Sequence, residues 1–421
     1  MEPVSLWAAV EFTACNGSTE ALLTAAARAG LHPYGVTALP GGFGGRCAAW
    51  QYPRLAALAR KHRVRLRIRR KLGLYFRLRP LLRRAGLGAL VSLGSMAGCG
   101  TDGQVQKVTS IKIGVTVYDQ YDTFVSQMMT DFNKYAAEQE EQTGIAINVE
   151  VYNAAGSQST QNSQVEEMLD AGCNVICVNL VDRTEPTTII DMAEKNNVPV
   201  IFFNRELVEE DLERWDRVYY VGAKAFESGI MQGEIAADAF KENPDADKNG
   251  DGVFQYVVLE GEAGHQDAIV RTEYAVSTII DNGVEVEKLA YGIANWNRAQ
   301  AQTKMTQMLA EYDGEIELVI ANNDDMALGA IDALKTSHLK RADWPVVVGI
   351  DGTDVGLAAV ASGEMAGTVY NDQEGQAQAM LDLAYALSVG DTLDDLNLEN
   401  GKYIRLPYSK VGSRDVKNYM K

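Results

Sequence analysis

Lys112-Ile-Gly-Val-Thr-Val-Tyr118 is an apolar run followed first by polar residues and then by a stretch of helical period. A short apolar run of this kind is what a strand buried on both faces requires. The pattern recurs: Ile145 to Tyr152, Val175 to Val181 and Val198 to Phe203 read as strands, with amphipathic segments between them. The beat then restarts at Phe254 to Leu259, Val284 to Ala290, Ile316 to Ala321 and Val346 to Ile350. Strands alternating with helices predict parallel α/β sheets, and the restart predicts two doubly wound lobes. The chain is expected to cross between them near Tyr219-Tyr-Val-Gly222, at Gly367-Thr-Val-Tyr-Asn-Asp372 and near Leu406-Pro-Tyr408, forming a multi-strand hinge. The helix expected over Asp372 to Leu387 then returns to the first lobe. The lobes are thus residues 109–220 with 373–406, and residues 221–372 with 407–421.

Ligands of such sheets bind beyond the carboxyl ends of the strands, which in a two-lobed protein face a shared cleft. The residues at those ends form a coherent group. The first lobe offers Asp122, Phe124 and Asn204; the second offers His265, Asp267, Arg271, Trp296, Asn323 and Asp351, and Asn371 lies on a crossing. Planar carboxylate, amide, guanidinium and imidazole groups can hold adjacent hydroxyls in pairs, and Phe124 and Trp296 can cover the C–H faces of a pyranose. No glycine-rich phosphate loop follows any strand, and Arg271 among carboxylates suits an anion poorly.

Asp247-Lys-Asn249-Gly-Asp251-Gly252-Val253-Phe-Gln255 places oxygen side chains at every second position around a glycine. This is the pattern of a calcium loop: Asp247, Asn249, Asp251 and Gln255 at positions one, three, five and nine, the Val253 carbonyl at seven, and Gly252 at the sharp turn. Position twelve is Val258, so the usual bidentate carboxylate has to come from elsewhere in the chain.

Hydrophobic residues make up 46% and charged residues 23%, an ordinary globular composition, but the charge is divided. Residues 1–84 hold 15 Lys and Arg against 3 Glu, whereas the remainder holds 24 basic and 54 acidic residues, a balance of −30. Such a body repels nucleic acid and anionic membranes and favours a neutral or cationic small ligand. Within the basic segment, Leu22 to Ala29 reads as a short amphipathic helix, Gly41 to Gly45 as a turn, and the Arg-rich alternation ending at Arg70 as a charged strand. Five scattered cysteines make no disulfide framework. Cys99 stands apart, because it follows Arg83-Arg84 and the apolar stretch Ala85 to Ala97 in the run Met96-Ala-Gly-Cys99. That segment, too short to span a bilayer, resembles a signal segment with a lipobox over residues 85–99, followed by a tether over 100–108. It implies lipid on Cys99 and a body held outside the cytoplasmic membrane. Residues 1–84 resemble the soluble N-terminal part of a family of membrane-associated sporulation proteins but run into a lipobox, which points to a fused or misassigned start.

Ile113-Gly-Val-Thr-Val-Tyr118 with Asp122 and Phe124, Asn179-Leu-Val-Asp182, Val200-Ile-Phe-Phe-Asn204, the cation loop, Gly261-Glu-Ala-Gly-His-Gln-Asp267, Val319-Ile-Ala-Asn-Asn-Asp324 and Ala366-Gly-Thr-Val-Tyr-Asn-Asp372 together resemble the periplasmic D-galactose/D-glucose-binding proteins of bacterial sugar uptake. The resemblance covers residues 109–410 and implies a type I periplasmic binding protein fold. It also implies that Asp122, Asn204, His265, Asp267, Arg271, Asn323, Asp351 and Asn371 hold the hydroxyls and ring oxygen, while Phe124 and Trp296 sandwich the ring. It supplies Glu317 as the missing ligand of a structural calcium ion. The function it implies is not enzymatic: a monomer that closes around D-glucose or D-galactose and delivers it to the permease of an ABC transporter, some relatives also engaging a chemoreceptor. Two other readings share the plan. A sugar-sensing transcriptional regulator needs a DNA-reading module joined directly to the sensor, where this chain has a lipobox. A glycoside-cleaving enzyme would use Asp122 and Asp267 across the cleft and needs one acid with a raised pKa, whereas carboxylates set among Arg and Asn donors are expected to stay charged.

Overall fold

The computed structural model describes residues 9–15, 22, 26, 34–39, 42–48, 55, 59, 64–72 and 108–420. The chain divides into two compact units, Met1–Val105 and Gln106–Lys421. In the first, strands β1 (Ala9–Cys15), β2 (Tyr34–Leu39), β3 (Gly42–Ala48) and β4 (Arg65–Leu72) form an antiparallel sheet in the order β2-β3-β1-β4. The basic alternation is β4, an edge strand, and Leu22 and Ala26 are helical. The turn expected over Gly41 to Gly45 is largely strand instead: Gly44 and Gly45 are buried and pair with Thr13 and Phe12, so pairing overrides the weak strand preference of glycine. Phe12 meets Phe43 edge to face at 6.1 Å in the small core beneath. Cys99, the signal segment and the tether up to residue 107 lie outside the described residues.

The second unit begins with a parallel sheet of β5 (Ser110–Val117), β6 (Ala146–Asn153), β7 (Val175–Val178), β8 (Val200–Phe203) and β9 (Val218–Gly222). Val-Ile-Cys-Val in β7 and Val-Ile-Phe-Phe in β8 are buried at every position, because helices cover both faces. Those helices are α1 (Thr123–Thr143), α2 (Gln158–Asp170), α3 (Thr187–Asn196) and the single turn α4 (Glu209–Leu212). The second lobe repeats the plan with β10 (Val253–Glu260), β11 (Glu285–Ile293), β12 (Leu318–Ala321), β13 (Val346–Val348) and β14 (Gly367–Asn371). Its helices are α5 (Ala225–Glu242), α6 (Gln266–Asp281), α7 (Arg298–Glu311), α8 (Asp324–Thr336) and α9 (Asp354–Ala361). Helix α5 lies close against α6, since a Cβ on Gly233 would stand 2.4 Å from the Ala275 carbonyl oxygen.

The chain passes between the lobes three times. It leaves the first after β9, returns after β14 as α10 (Gln373–Val389), which packs on α1 and β5, and adds β15 (Tyr403–Arg405) beside β9. It then crosses to place β16 (Tyr408–Gly412) antiparallel to β14. The two sheets run β15-β9-β8-β7-β5-β6 and β11-β10-β12-β13-β14-β16, two doubly wound lobes of the type I periplasmic binding protein architecture.

Candidate functional site

The carboxyl ends of both sheets face one narrow cavity, lined by Tyr118, Asp122, Phe124, Asn204, Arg205, His265, Asp267, Arg271, Trp296, Asn323 and Asp351. All but two of these, Tyr118 and Arg205, belong to the group read from the sequence. Asn371 stands back from the wall: it is buried at the end of β14, with its side-chain oxygen accepting from Gln376 Nε2 at 2.7 Å.

Several lining residues do double work because they also start helices. Asp122 caps α1, its Oδ1 accepting from the Val125 N–H at 2.9 Å and its Oδ2 from the Tyr118 hydroxyl at 2.6 Å. Asn323 caps α8 through Oδ1, which leaves its amide nitrogen directed toward the Trp296 carbonyl at 3.4 Å. His265 caps α6, with Nδ1 accepting from the Asp267 N–H at 3.2 Å. Nδ1 therefore carries no proton, and the neutral ring bears its hydrogen on Nε2, a donor. Burial, with Arg205, Arg271 and Arg183 nearby, pushes the imidazolium down to about 2, so the ring stays neutral.

Three lining residues sit in left-handed backbone, Asn204 at φ 61°, Trp296 at φ 59° and Asp351 at φ 118°. Strain of this kind collects where side chains have to be aimed and the surroundings hold them. Asn179 Nδ2 donates to Asn204 Oδ1 at 3.1 Å and to the Phe203 carbonyl at 3.2 Å, orienting the Asn204 amide. The indole of Trp296 lies against bare backbone: a Cβ on Gly261 would meet it at 2.2 Å. Behind Asp351, the fully buried Asp324 accepts from the Thr353 N–H at 2.8 Å and from the Thr368 hydroxyl at 2.6 Å, and burial pushes its carboxyl up to about 7.

Arg271 is buried on α6, its Nη1 donating to the Asn322 carbonyl at 2.8 Å and lying 3.8 Å from Asp351 Oδ1. Two donors of lining residues, Arg271 Nε and Trp296 Nε1, are buried without a protein partner among the described residues. Hydroxyl oxygens of a ligand are acceptors of the kind such donors require. Asp267 was expected to sit among donors that favour its charged form, and in the structure a second effect opposes them. Burial raises Asp267 against the pull of Arg271, Arg205 and Arg183, and raises Asp351 against that of Arg271, because desolvation outweighs the neighbouring cations.

The cavity wall also includes two groups that strand-end reasoning passed over. Tyr118 ends the first apolar run and Arg205 directly follows Asn204, so the same positional signal was available for both.

In the acidic loop, Asp247 accepts the N–H groups of Gly250, Asp251 and Gly252, and Gly250 and Gly252 take left-handed φ of 75° and 81°. Glu317 lies beneath it, almost fully buried, accepting from the N–H groups of Lys248, Asn249 and Gln255. Asn249 Nδ2 and Gln255 Nε2 each donate to Asp251 Oδ2 at 2.9 Å, while Gln255 Oε1 is buried without a partner among the described residues. Among the described residues no three His, Cys, Asp or Glu side chains gather closely enough to make a metal site from those types alone. The donor chemistry fits a hard cation, since half-turns of the two amides present oxygens where nitrogens now point.

The periplasmic binding protein domain model matches residues 113–392. The chain belongs to that family. Its members bind solutes outside the cytoplasm and are not, as a class, enzymes. The family's D-galactose/methyl-galactoside binding periplasmic protein MglB of Haemophilus influenzae is 35% identical over 314 residues, 74% of this chain and 92% of its own. A xylitol-binding protein of Mycolicibacterium smegmatis is 30% identical over 311 residues, 72% of this chain and 81% of its own. Among solved structures, an ABC transporter solute binding protein of Bacillus halodurans with bound myo-inositol aligns with a TM-score of 0.62 at 26% identity, covering 75% of this chain and 99% of that one. No helix among the described residues is long and apolar enough to cross a membrane.

Proposed function

We propose that the chain is a lipid-anchored extracytoplasmic binding protein that closes around D-galactose or D-glucose and delivers the sugar to an ABC transporter permease. The observation that carries this reading is the cavity itself, where planar hydrogen-bonding groups from both lobes meet two aromatic side chains, Phe124 and Trp296. Asp122, Asn204, His265, Asp267, Arg271, Asn323 and Asp351 would hold the hydroxyls, with Asn371 acting from behind. The similarity to MglB favours a hexose, and the carboxylates on the wall favour a neutral ligand over an anionic one. Binding makes and breaks no covalent bond; the sugar shifts the lobes toward the closed arrangement by contacting both. Asp247, Asn249, Asp251, Gln255, the Val253 carbonyl and Glu317 would hold a calcium ion whose part is structural, tying the loop to β12.

Calorimetric titration of the full chain with galactose, glucose, ribose, xylitol and myo-inositol tests the reading. The two hexoses are expected to bind at least tenfold more tightly than the other three, a difference of about 1.4 kcal/mol. Preference for a pentose or a polyol would overturn the substrate. The raised carboxyl of Asp267 gives the glycoside-cleaving alternative one favourable feature. Release of nitrophenol from an aryl galactoside would replace binding with hydrolysis; none is expected.

A further inference from the structure

We propose that Arg205 is a positioning residue that couples occupancy of the cavity to closure of the lobes, through a latch with Glu262. This rests on the sugar-binding reading only for the ligand arm of its test. Arg205 follows Asn204 on the loop after β8 and is 3% exposed. Its Nη1 donates to the Val181 carbonyl of its own lobe at 2.8 Å. Across the cleft, Nη1 and Nη2 donate to the two oxygens of Glu262 at 3.2 and 3.0 Å, a fork that exists only while the lobes are together. The guanidinium lies 3.7 Å from the centre of the Tyr118 ring, whose hydroxyl donates to Asp122. On the other side, the Glu262 carbonyl accepts the His265 N–H at 3.1 Å. One pair thus joins the Asn204 loop and the Asp122 cap of the first lobe to the His265 loop of the second.

The two halves of the latch differ in how they tolerate opening. Glu262 is about a third exposed (34%) and can return to water, while Arg205 keeps its stack on Tyr118 and its bond to Val181. Neither partner is left buried and unpaired in the open state, so the pair biases the equilibrium without blocking it. A second cross-lobe bond, from Thr123 Oγ1 to Asp325 Oδ2 at 2.6 Å, supports the same closed arrangement. Arg205 also helps hold His265 neutral, which keeps the Nε2 donor in place.

Glu262 is outside the cavity wall, so E262Q removes the latch charge without reshaping the pocket. Two measurements decide the matter. The first is the interlobe distance distribution between labels at the exposed positions Lys195 and Lys304, taken without sugar. The second is the dissociation rate of bound galactose. E262Q is expected to lower the closed fraction and speed dissociation about tenfold, with association changed less than twofold. R205K, which keeps the charge but not the fork, should fall between. An unchanged closed fraction would overturn the latch even if dissociation sped up, because Arg205 would then act only as cavity wall. If no hexose binds the native chain, the sugar reading fails, and the sugar-free distances still decide for or against the latch.

Discussion

His265 has one ring nitrogen committed to the Asp267 N–H and its charge suppressed by burial and three guanidinium groups. Between about 2 and the ordinary value of 6.5, the unfolded chain binds a proton that the folded chain refuses, so acidification there favours unfolding. For one such group the loss is about 1.4 kcal/mol per pH unit. The variant H265Q lacks it. Urea titrations at pH 7, 6 and 5 should therefore show the native chain losing stability relative to H265Q with that slope below pH 6.5; parallel curves would mean that the ring protonates in the fold. Much of this chemistry could be read in the sequence, because His265, Asn323 and Asp122 each stand just before a helical pattern and just after an apolar run. The tautomer could not be read, since it depends on one backbone bond. Arg205 stands beside Asn204 and carries the same positional signal, but its pairing with Glu262, 57 residues away in the other lobe, could not be read.

Helix α1 starts on a residue that also faces the cavity, so capping and binding can be separated there. In D122N the cap survives, because the amide oxygen can still accept the Val125 N–H, whereas the carboxylate that takes the Tyr118 hydroxyl is gone. D122A loses both. Chemical denaturation should show D122A about 1 kcal/mol less stable than the native chain and D122N nearly unchanged. Both should lose galactose affinity at least tenfold; equal stability of the two variants would mean that Asp122 does not cap the helix in solution. The strands of the two lobes were legible for the same reason that they are stable: runs such as Val200 to Phe203 are buried on both sides and leave no ambiguity of face. The sheet of the first unit was less legible. Gly41 to Gly45 reads as a turn in isolation, and Gly42 to Gly45 become strand only through their neighbours on either side.

The proposed calcium loop would act on the stability of a lobe. Glu317 stands 70 residues beyond Asp247, and without a cation the loop relies on backbone donors alone to satisfy these two carboxylates. Chelation is expected to lower the melting temperature of the native chain by several degrees and to leave E317Q, already lowered, unaffected. A native chain indifferent to chelator would remove the metal from the account. The three crossings carry a different consequence, one of timing. Met380, Leu381, Leu383 and Ala384 of α10 are fully buried in the first lobe, and β15 and β16 are the last strands to join the two sheets. As the ribosome makes the chain, neither lobe can be completed by the stretch that begins it, because each takes elements made after β14. A lobe that waits for distant residues keeps the edge of its sheet unpaired until they arrive, so each lobe's completion depends on the other's having been made.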